Sequence, residues 1–500
     1  MASQSDDNGP YDLVIAGARA IDPETGLDAI RDIGVKGGRI AAISERPLSG
    51  ATRLDTEGLV AAPGFIDMHA HGQQLPAAWI QAFDGVTTAL ELELGMLPIG
   101  AFYADVAKEG RPINYGAAVS WVYARIEAKE RITAEPTILW FQKAFSRQGW
   151  QNTLATPEEL EAIIDKVEAG LKEGGLGVGI NAGYAPGYGR REYHELARLA
   201  ARYDTPTYTH VRYMSAKEPQ SAFESLEELV ALSAATGAHM HICHLNSSSG
   251  RDVVACAELI RGAQSRGLPI TTEAYPYGAA STAIGAALLR GPDWLERCGA
   301  NSADNIELNG RKLTQEKIDE LQASQPGAVI VLHFLRPDDD ARDRDLMDLS
   351  VLYPGAPIAS DAMPWGHANG RLVEGDVWPL PEDAFSHPRS AGCFSRFIAR
   401  WVRERKAISL IEALRKTSLL PAQILERATP QMRKKGRLQV GADADIVVFD
   451  LATIQDRATF VAPSRLSQGM RHVVVNGEPI IRDGERIADA RPGRPIRRPV

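Results

Sequence analysis

Residues 59–71 read LVAAPGFIDMHAH, an apolar run that ends in two histidines one residue apart. A run of this composition is typical of a buried β-strand, and residues two apart on a strand face the same side. His69 and His71 therefore project together from the carboxyl end of the strand. Two imidazoles so placed are half of a metal site, although an isolated His-x-His is more often a pair of solvated loop residues.

Other ligand-type residues also stand at the ends of strand-like runs, and this set favours the metal site. The short apolar runs and the residues they present are 85–95 with Glu91 and Glu93, 206–210 with His210, 239–244 with His244, and 357–361 with Asp361. Two carboxylates on one face of an apolar strand need a cation if that face is buried; the alternative is a solvent-facing amphipathic strand. Four imidazoles and two carboxylates suit zinc or a similar divalent ion, and a bridging carboxylate permits two ions. The sequence therefore predicts a binuclear hydrolase site.

Composition sets the size and class of the protein. The chain has 500 residues, of which 44% are hydrophobic and 24% charged, enough for a barrel-sized domain and a smaller one. The net charge of -9 offers no general basic surface for nucleic acid or anionic membranes, and the basic segment 491–498 is expected to be solvated. No apolar run reaches the roughly 18 residues that span a bilayer, and residues 1–7 do not resemble a secretory signal. We expect a cytoplasmic protein with reduced cysteines.

The central part of the chain, residues 58–426, alternates short apolar strands with amphipathic helices at 157–171, 192–203 and 225–235. Further strands are expected at 269–273 and 328–333. This alternation predicts an α/β fold, a (β/α)8 TIM-like barrel whose functional groups lie where strands end. An open doubly wound sheet is the alternative, but the sequence has no glycine-rich phosphate loop to match it.

Both ends of the chain differ from this centre. Residues 1–57 and 427–500 contain short β-type runs split by glycine turns, and predict one small β-sandwich domain built from both termini. Within the barrel, segments 278–325 and 363–386 are expected to be lids or inserts. Segment 363–386 contains Trp365, His367 and Trp378, which suit a pocket wall as well as a surface insertion.

Several motifs resemble a known family. Residues 62–71, APGFIDMHAH, resemble the signature of the amidohydrolase superfamily, because strand, turn and both histidines occur together. The motifs GYAPG at 183–187, YPY at 275–277, HPR at 387–389 and GR at 436–437 resemble the D-aminoacylase branch, the N-acyl-D-amino-acid deacylases. Matches run from about residue 11 to 485, so the resemblance covers nearly the whole chain.

The resemblance implies a role for each matching residue. His69 and His71 would hold one metal position and His210 and His244 the other. Asp361 would be a ligand and the general base, taking a proton from water and returning it to the leaving amine. One or two divalent ions are implied, zinc first and manganese or cobalt as alternatives. The substrate contacts implied are Arg389, Tyr184 and Asn246, while His333 is either a further acid or oxyanion donor or a packed histidine.

The sequence also departs from the family pattern. Where D-aminoacylases commonly have a bridging cysteine, this chain has Glu91-Leu92-Glu93, and Glu93 is the expected bridge because it lies nearer the carboxyl end of the strand. The family's substrate-holding lysine is replaced by Asn246, so that Arg389 remains as the anion clamp. These changes leave the hydrolytic chemistry in place and the D-amino acid specificity open.

The sequence thus predicts a metal-dependent enzyme that cleaves a linear C–N amide bond in a small molecule, an N-acyl amino acid or a related N-acyl amine. A cyclic amide hydrolase of the hydantoinase or dihydroorotase type is one alternative, although those enzymes usually bridge their metals with a carboxylated lysine and no lysine here stands at a strand end. A non-catalytic barrel acting as an assembly partner is the other. Barrels of this family often associate, so the resemblance is compatible with a homo-oligomer, and the sequence leaves the oligomeric state open.

Overall fold

The computed structural model describes residues 11–291, 293–367 and 370–500. Its strands, β1 to β22 in chain order, are Tyr11–Asp22, Leu27–Lys36, Arg39–Ser44, Gly50–Asp55, Val60–Pro63, Phe65–Asp67, Val86–Met96, Asn114–Ser120, Val178–Asn181, Thr207–His210, Met240–Ile242, Ile270–Thr272, Ala279–Ala283, Ile306–Leu308, Arg311–Lys312, Val329–His333, Gly366–His367, Ala384–Phe385, Ile446–Phe449, Met470–Val475, Glu478–Arg482 and Glu485–Arg486. Its helices, α1 to α16, are Leu75–Phe83, Ile99–Glu109, Trp121–Glu130, Ile138–Ala144, Gly149–Asn152, Pro157–Lys172, Arg190–Arg202, Ala222–Thr236, Leu245–Ser249, Val253–Gln264, Trp294–Arg297, Gln315–Ser324, Ala341–Val351, Arg389–Phe397, Leu410–Leu414 and Leu420–Leu425. Wider π turns follow α14 at Ile398–Glu404 and α15 at Arg415–Leu419.

Local signals fix where the predicted helices begin and end. At the start of α6, the Thr156 hydroxyl accepts from the amide N–H of Glu159 at 3.2 Å, and the Glu159 carboxylate accepts from the amide N–H of Thr156 at 2.8 Å. This reciprocal pair satisfies two of the free N–H groups of the first turn. Helix α8 ends at Gly237, whose φ of 73° is free of strain in a residue without a Cβ. No helix in the described part of the chain is both long and apolar enough to cross a bilayer.

Strands from the two ends of the chain form one nine-stranded sheet. Its order is β22-β21-β20-β19-β5-β1-β2-β3, with β4 parallel to β1. The two ends meet where β19 runs antiparallel to β5, with Ile446 opposite Pro63. Apolar side chains from both ends, among them Ile15, Val35 and Val448, form one buried cluster beneath the sheet. The predicted composite β-domain is therefore present, and β5 extends it a few residues beyond position 57.

The centre of the chain forms the barrel. Strands β6 to β12 lie side by side, all parallel, in chain order. Residues 358–362 close the ring, because Ile358 bridges in parallel to Ala274 after β12 and Ala362 to Ala70 after β6. This segment takes the eighth position of a (β/α)8 barrel. The predicted fold class is confirmed.

The predicted barrel strand at 328–333 is in a different place. Strand β16, Val329–His333, pairs antiparallel with β13 and β14 in a four-stranded sheet that stands apart from the barrel. Its buried side chains Ile330 and Leu332 pack on a separate cluster with Trp294 and Ile318. An apolar run of this length suits an antiparallel insert as well as a barrel strand, so composition alone could not separate the two. We call this sheet, β13 to β16 with its connections, the insert.

The described residues of segment 363–386 pack beside α1. The Gln74 amide donates to the carbonyl oxygens of Trp365 at 2.9 Å and Val373 at 3.1 Å, and the Trp378 ring stacks on Phe83 at 5.5 Å. Strands β17 and β18 pair antiparallel within the segment. Positions 368 and 369 of this predicted lid, and position 292 of the predicted insert 278–325, lie outside the described residues.

The basic segment 491–498 is packed, contrary to the prediction that it is solvated. The amide N–H of Ile496 donates to the carbonyl of Tyr115 at 2.7 Å, and that of Tyr115 donates to the carbonyl of Arg494 at 3.2 Å. The Ile496 side chain is buried in the barrel interior with Ile66 and Tyr208. Because Tyr115 lies near the start of β8, this segment covers the end of the barrel opposite the histidines. The prediction of a solvated segment rested on its positive charges, and these do not reveal that the buried Ile496 side chain anchors it.

Candidate metal centre

The barrel brings the predicted ligands to one place, the carboxyl ends of its strands. His69 and His71 follow β6, Glu93 lies on β7, His210 ends β10, His244 follows β11, and Asp361 lies on the closing segment. All six side chains are buried. The six residues come from five separate segments of the chain, so the parallel barrel itself assembles the cluster.

The first half of the cluster contains His69, His71, Glu93 and Asp361. Nε2 of His69 lies 3.2 Å from Nε2 of His71. Oε2 of Glu93 lies 3.3 Å from the former and 3.4 Å from the latter. Oδ1 of Asp361 lies 3.5 Å and 3.4 Å from the same two nitrogens. Four potential ligand atoms thus converge on one point.

The second half shares Glu93 with the first. Its other oxygen, Oε1, lies 2.9 Å from Nδ1 of His210 and 3.0 Å from Nε2 of His244. These two nitrogens are 3.2 Å apart. One carboxylate therefore faces a histidine pair with each of its oxygens.

The residues fit a pair of divalent ions. Ligands bound to a tetrahedral zinc at 2.0–2.1 Å lie about 3.3 Å from one another. The first half matches this spacing and the second is slightly tighter. Imidazole and carboxylate are the ligands that zinc and its neighbours prefer, and the buried carboxylates need a positive partner.

A further layer of side chains orients the histidines. Oε1 of Glu273 lies 2.6 Å from Nδ1 of His69, and Oε2 of Glu91 lies 2.9 Å from Nδ1 of His71. The Ser248 hydroxyl, which donates to a carbonyl oxygen, lies 3.0 Å from Nδ1 of His244. An acceptor at Nδ1 holds the proton there and leaves the Nε2 lone pair free for a metal.

The two glutamates of β7, Glu91 and Glu93, have different positions relative to the histidines. The Glu93 carboxylate lies between the histidine pairs, whereas that of Glu91 lies behind His71. Glu273 was not among the predicted site residues, although it follows strand β12 and carries the same strand-end signal as the others.

Arg389 lies behind Asp361. Its Nη2 is 2.8 Å from Oδ2 of Asp361, and its Nε donates to the Asp361 carbonyl at 2.7 Å. Burial alone would raise the pKa of Asp361, but Arg389 and then His69 outweigh it and hold that pKa below its ordinary value. The guanidinium is fully buried, and its Nη1 has no hydrogen-bond partner within the described ranges.

Two of these residues have backbone conformations that are uncommon outside glycine. The φ of His244 is 36° and that of Asp361 is 53°. Non-glycine residues in this region cost free energy and persist where the surrounding structure imposes them, often at functional sites. Asp67 supports the region near Asp361, because its carboxylate accepts from the amide N–H of Ser360 at 3.0 Å. Burial raises the pKa of Asp67 to about 6.

The remaining predicted residues lie at different distances from the cluster. The Tyr184 ring is 5.0 Å from that of His210, and its hydroxyl pairs with that of Thr282 at 2.9 Å. The Asn246 amide group is occupied by backbone, donating to the carbonyls of Tyr275 at 3.0 Å and Tyr277 at 3.2 Å. It holds this loop in place, and its contact with substrate stays a prediction.

His333 lies on the insert. Its Nε2 is 3.3 Å from Oε1 of Glu307, and its ring packs at 4.7 Å on Phe460. This position favours the packed histidine over the further acid or oxyanion donor.

A family comparison identifies the arrangement. A model described as "Amidohydrolase family" matches residues 53–255 and 246–481, which include all six residues of the cluster. The chain belongs to the amidohydrolase family. This amidohydrolase is 28% identical to N-acyl-D-glutamate deacylase of Alcaligenes xylosoxydans xylosoxydans, over 97% of its own length and 96% of the relative's. It is also 28% identical to D-aminoacylase of the same organism, over 96% of each chain. The resemblance to the D-aminoacylase branch is confirmed.

Solved structures share the fold of this amidohydrolase. The N-acyl-D-glutamate deacylase of Bordetella bronchiseptica, in complex with zinc and a phosphonate mimic of the tetrahedral intermediate, superposes with a TM-score of 0.77 at 24% identity, covering 98% of this chain and 100% of that one. A D-aminoacylase with a binuclear metal centre gives 0.76 at 21% identity, with the same coverage. A D-hydantoinase gives 0.60 at 16% identity, covering 98% and 99%.

Proposed function

We propose that this amidohydrolase cleaves a linear C–N amide bond of an N-acyl amino acid or a related N-acyl amine, using water and one or two divalent metal ions. The observation that carries the proposal is the position of Glu93, whose two oxygens face separate histidine pairs with Asp361 beside one of them. Zinc is the proposed ion, with manganese or cobalt as alternatives, and the cytoplasm is the proposed compartment.

The residues divide into two proposed metal positions. His69, His71 and Asp361 would hold one ion, His210 and His244 the other, and Glu93 would bridge them. Metal ions bound here would supply a Lewis acid for the amide carbonyl and would lower the pKa of water towards 7.

Asp361 is the proposed general base. Its Oδ1 faces the ligand cluster, while its Oδ2 is held by Arg389. As water attacks the carbonyl carbon, the ionised carboxylate accepts a water proton and returns it to the amide nitrogen as the C–N bond breaks. The products are a carboxylate and an amine. The ion pair with Arg389 keeps the base ionised and fixes its orientation.

Arg389 and Tyr184 are the proposed substrate contacts. Nη1 of Arg389 is a buried donor without a partner in the described part of the chain, and a substrate carboxylate or carbonyl would satisfy it. The Tyr184 ring packs against that of His210 at 5.0 Å. Tyr184 is the proposed contact for the group attached to the amide.

The two alternatives have less support. A carboxylated lysine is the usual bridge in cyclic amide hydrolases, whereas the carboxylate between the histidine pairs here is that of Glu93. A non-catalytic assembly partner would not need six buried ionisable ligands oriented by Glu91, Glu273 and Ser248.

Metal analysis and one substitution test the proposal. We expect purified protein to contain one or two divalent ions per chain and to hydrolyse N-acyl amino acids or N-acyl amines. Asp361→Asn should lower kcat by about 100-fold to 10,000-fold, the usual contribution of a general base. The control is Asp319→Asn, on the exposed face of α12. The absence of bound metal, or an unchanged kcat in Asp361→Asn, would contradict the proposal.

A further inference from the structure

A narrow cavity opens from the metal-centre residues toward the insert. We call its apolar wall the cup, which consists of Ile138, Phe141, Phe145, Leu288, Val329 and Leu332. The first three come from α4 and the residue that follows it, and the other three from the insert. Both elements that cover the centre thus contribute apolar side chains to the cavity, and the polar residues that they add, Gln142, Ser281 and Thr282, are uncharged.

The cup is continuous with the site of reaction. The rings of Phe141 and Phe145 each lie 6.0 Å from that of Tyr184, which lies 5.0 Å from that of His210. Glu93, His244 and Asp361 line the same cavity. A group attached to an amide held at the cluster would therefore extend into the cup.

Positive charge is absent from the cavity wall. Among the lining residues that the structure describes there is no lysine or arginine, and the acidic and histidine side chains there all belong to the ligand cluster. Lys143 lines only the adjoining outer cavity. Arg389 lies behind Asp361 and is not among the residues that line this cavity, and Asn246, which stands where the family pattern has a lysine, donates its amide hydrogens to backbone carbonyls.

We propose that the cup selects a bulky, uncharged, apolar substituent of the substrate and rejects a carboxylate there. The inference rests on the proposed function and adds the substrate class. A carboxylate moved from water into the cup would lose its hydration and gain no cation, whereas an aromatic or branched aliphatic group would bury apolar surface against Phe141, Phe145 and Leu288. This chain would then differ in specificity from relatives named for acyl glutamate or acyl aspartate.

Two matched substrate series test the inference on the zinc-loaded enzyme. The first varies the amino acid side chain, comparing N-acetylphenylalanine and N-acetylleucine with N-acetylglutamate, each as D and L forms. The second varies the acyl group, comparing benzoylglycine with succinylglycine. We expect kcat/KM to favour the apolar member at least 100-fold in one of the series, and that series identifies which group enters the cup.

A cation placed in the cup should reverse the preference. Leu288 is partly buried at the rim of the insert, so Leu288→Arg is expected to fold, and Leu288→Met is the uncharged control. The arginine variant should lower the ratio of kcat/KM for apolar substrates to kcat/KM for acidic substrates at least tenfold. The methionine variant should keep this ratio within about threefold of the wild-type value. Val329→Lys, also at the cup, serves as a second charged variant if the first does not fold.

The outcomes separate the inference from the proposed function. If acidic substrates are hydrolysed as well as apolar ones, or if Leu288→Arg and Val329→Lys leave the ratio unchanged, the cup does not set specificity, although the amidohydrolase activity stands. If the metal-loaded enzyme hydrolyses none of the substrates and Asp361→Asn is indistinguishable from it, the proposed function itself is wrong.

Discussion

The Oε1 atom of Glu93 lies 2.9 Å from Nδ1 of His210, while the other oxygen of the same carboxylate lies 3.4 Å from Nε2 of His71 on the opposite side of the cluster. Glu93 thus has the position of a bridge between two ion sites. A carboxylate offers an anionic oxygen to each site, which a neutral amide cannot do.

Glu93→Gln should therefore separate the two positions. Glutamine keeps the size of the side chain but presents one oxygen and one NH2 group, so one histidine pair faces a donor. We expect the affinity for one of the ions to fall about tenfold or more. Elemental analysis after dialysis against limiting zinc measures the stoichiometry, with Glu307→Gln on the insert as the control. Equal metal content in Glu93→Gln and the wild type would contradict the bridge.

Glu273 and Glu91 should act as positioning residues, because they touch His69 and His71 rather than the ion sites. Glu273→Gln and Glu91→Gln should each weaken metal binding by about 10-fold to 100-fold. A competition titration with a chelator measures this loss, and circular dichroism checks that the fold is retained. Metal affinity equal to that of the wild type in both variants would show that the histidines need no such support.

Metal removal should lower thermal stability. Ligands that bind the folded state alone stabilise it, and an ion present at 100 times its Kd adds about 2.7 kcal/mol to the free energy of unfolding. We expect the Tm to fall after chelation and to recover with zinc. The fall should be smaller in Glu93→Gln, which buries one charge fewer. A Tm that chelation does not move would argue against a structural contribution of bound metal.

Lys416 predicts a pH dependence of stability away from the metal centre. Its Nζ donates to the carbonyls of Tyr353 at 2.8 Å and Ala356 at 2.5 Å, and burial lowers its pKa from 10.5 to about 8. These two carbonyl oxygens can accept both hydrogens of the neutral Lys416 amine. Below pH 8 the folded protein must hold a buried ammonium, and this cost is relieved as the pH rises from 8 toward 10.5, because the folded state loses the proton first.

The free energy of unfolding of the wild type should therefore rise relative to that of Lys416→Met between pH 8 and 10, by up to about 1.4 kcal/mol per pH unit. Urea unfolding of both proteins at several pH values gives the difference, in which other titrating groups cancel. A difference that falls or stays constant over this range would be inconsistent with a depressed lysine pKa.

Ile496 tests the packing of segment 491–498. Ile496→Ala should lower the free energy of unfolding by about 2–5 kcal/mol, because the side chain is buried in the barrel interior. Val500→Ala is the control, since Val500 is 82% exposed and its truncation should change stability by less than about 0.5 kcal/mol. If both variants unfold at the same urea concentration, the segment contributes nothing to stability.

Most of the candidate metal centre could be predicted because a barrel imposes simple rules on sequence. Apolar runs mark the strands, and polar residues at their carboxyl ends meet. His69, His71, His210, His244 and Asp361 all follow this rule. To choose between Glu91 and Glu93, one must know how far along β7 each carboxylate lies from the carboxyl end of the barrel. The pairing of β7 with β8 shifts register after Glu91, and residue types do not reveal this shift.

Other features depended on tertiary contacts that sequence patterns do not encode. Strand β16 is as apolar as a barrel strand, yet it belongs to the insert because its partners are β13 and β14. Glu273 has the strand-end position, but only its contact with His69 reveals its role. The engagement of Asn246 by backbone and the burial of Arg389 behind Asp361 are likewise properties of packing.

The contacts of Ile496 impose an order on the formation of the molecule during synthesis. Strands β6 to β12 can pair once they have left the ribosome, and residues 358–362 then close the ring, but Ile496 cannot enter the barrel interior beside Ile66 until about 130 further residues have been translated. At 5–20 residues per second this interval is roughly 7 to 27 seconds. During this time the closed ring exposes apolar side chains at the end of the barrel that segment 491–498 later covers.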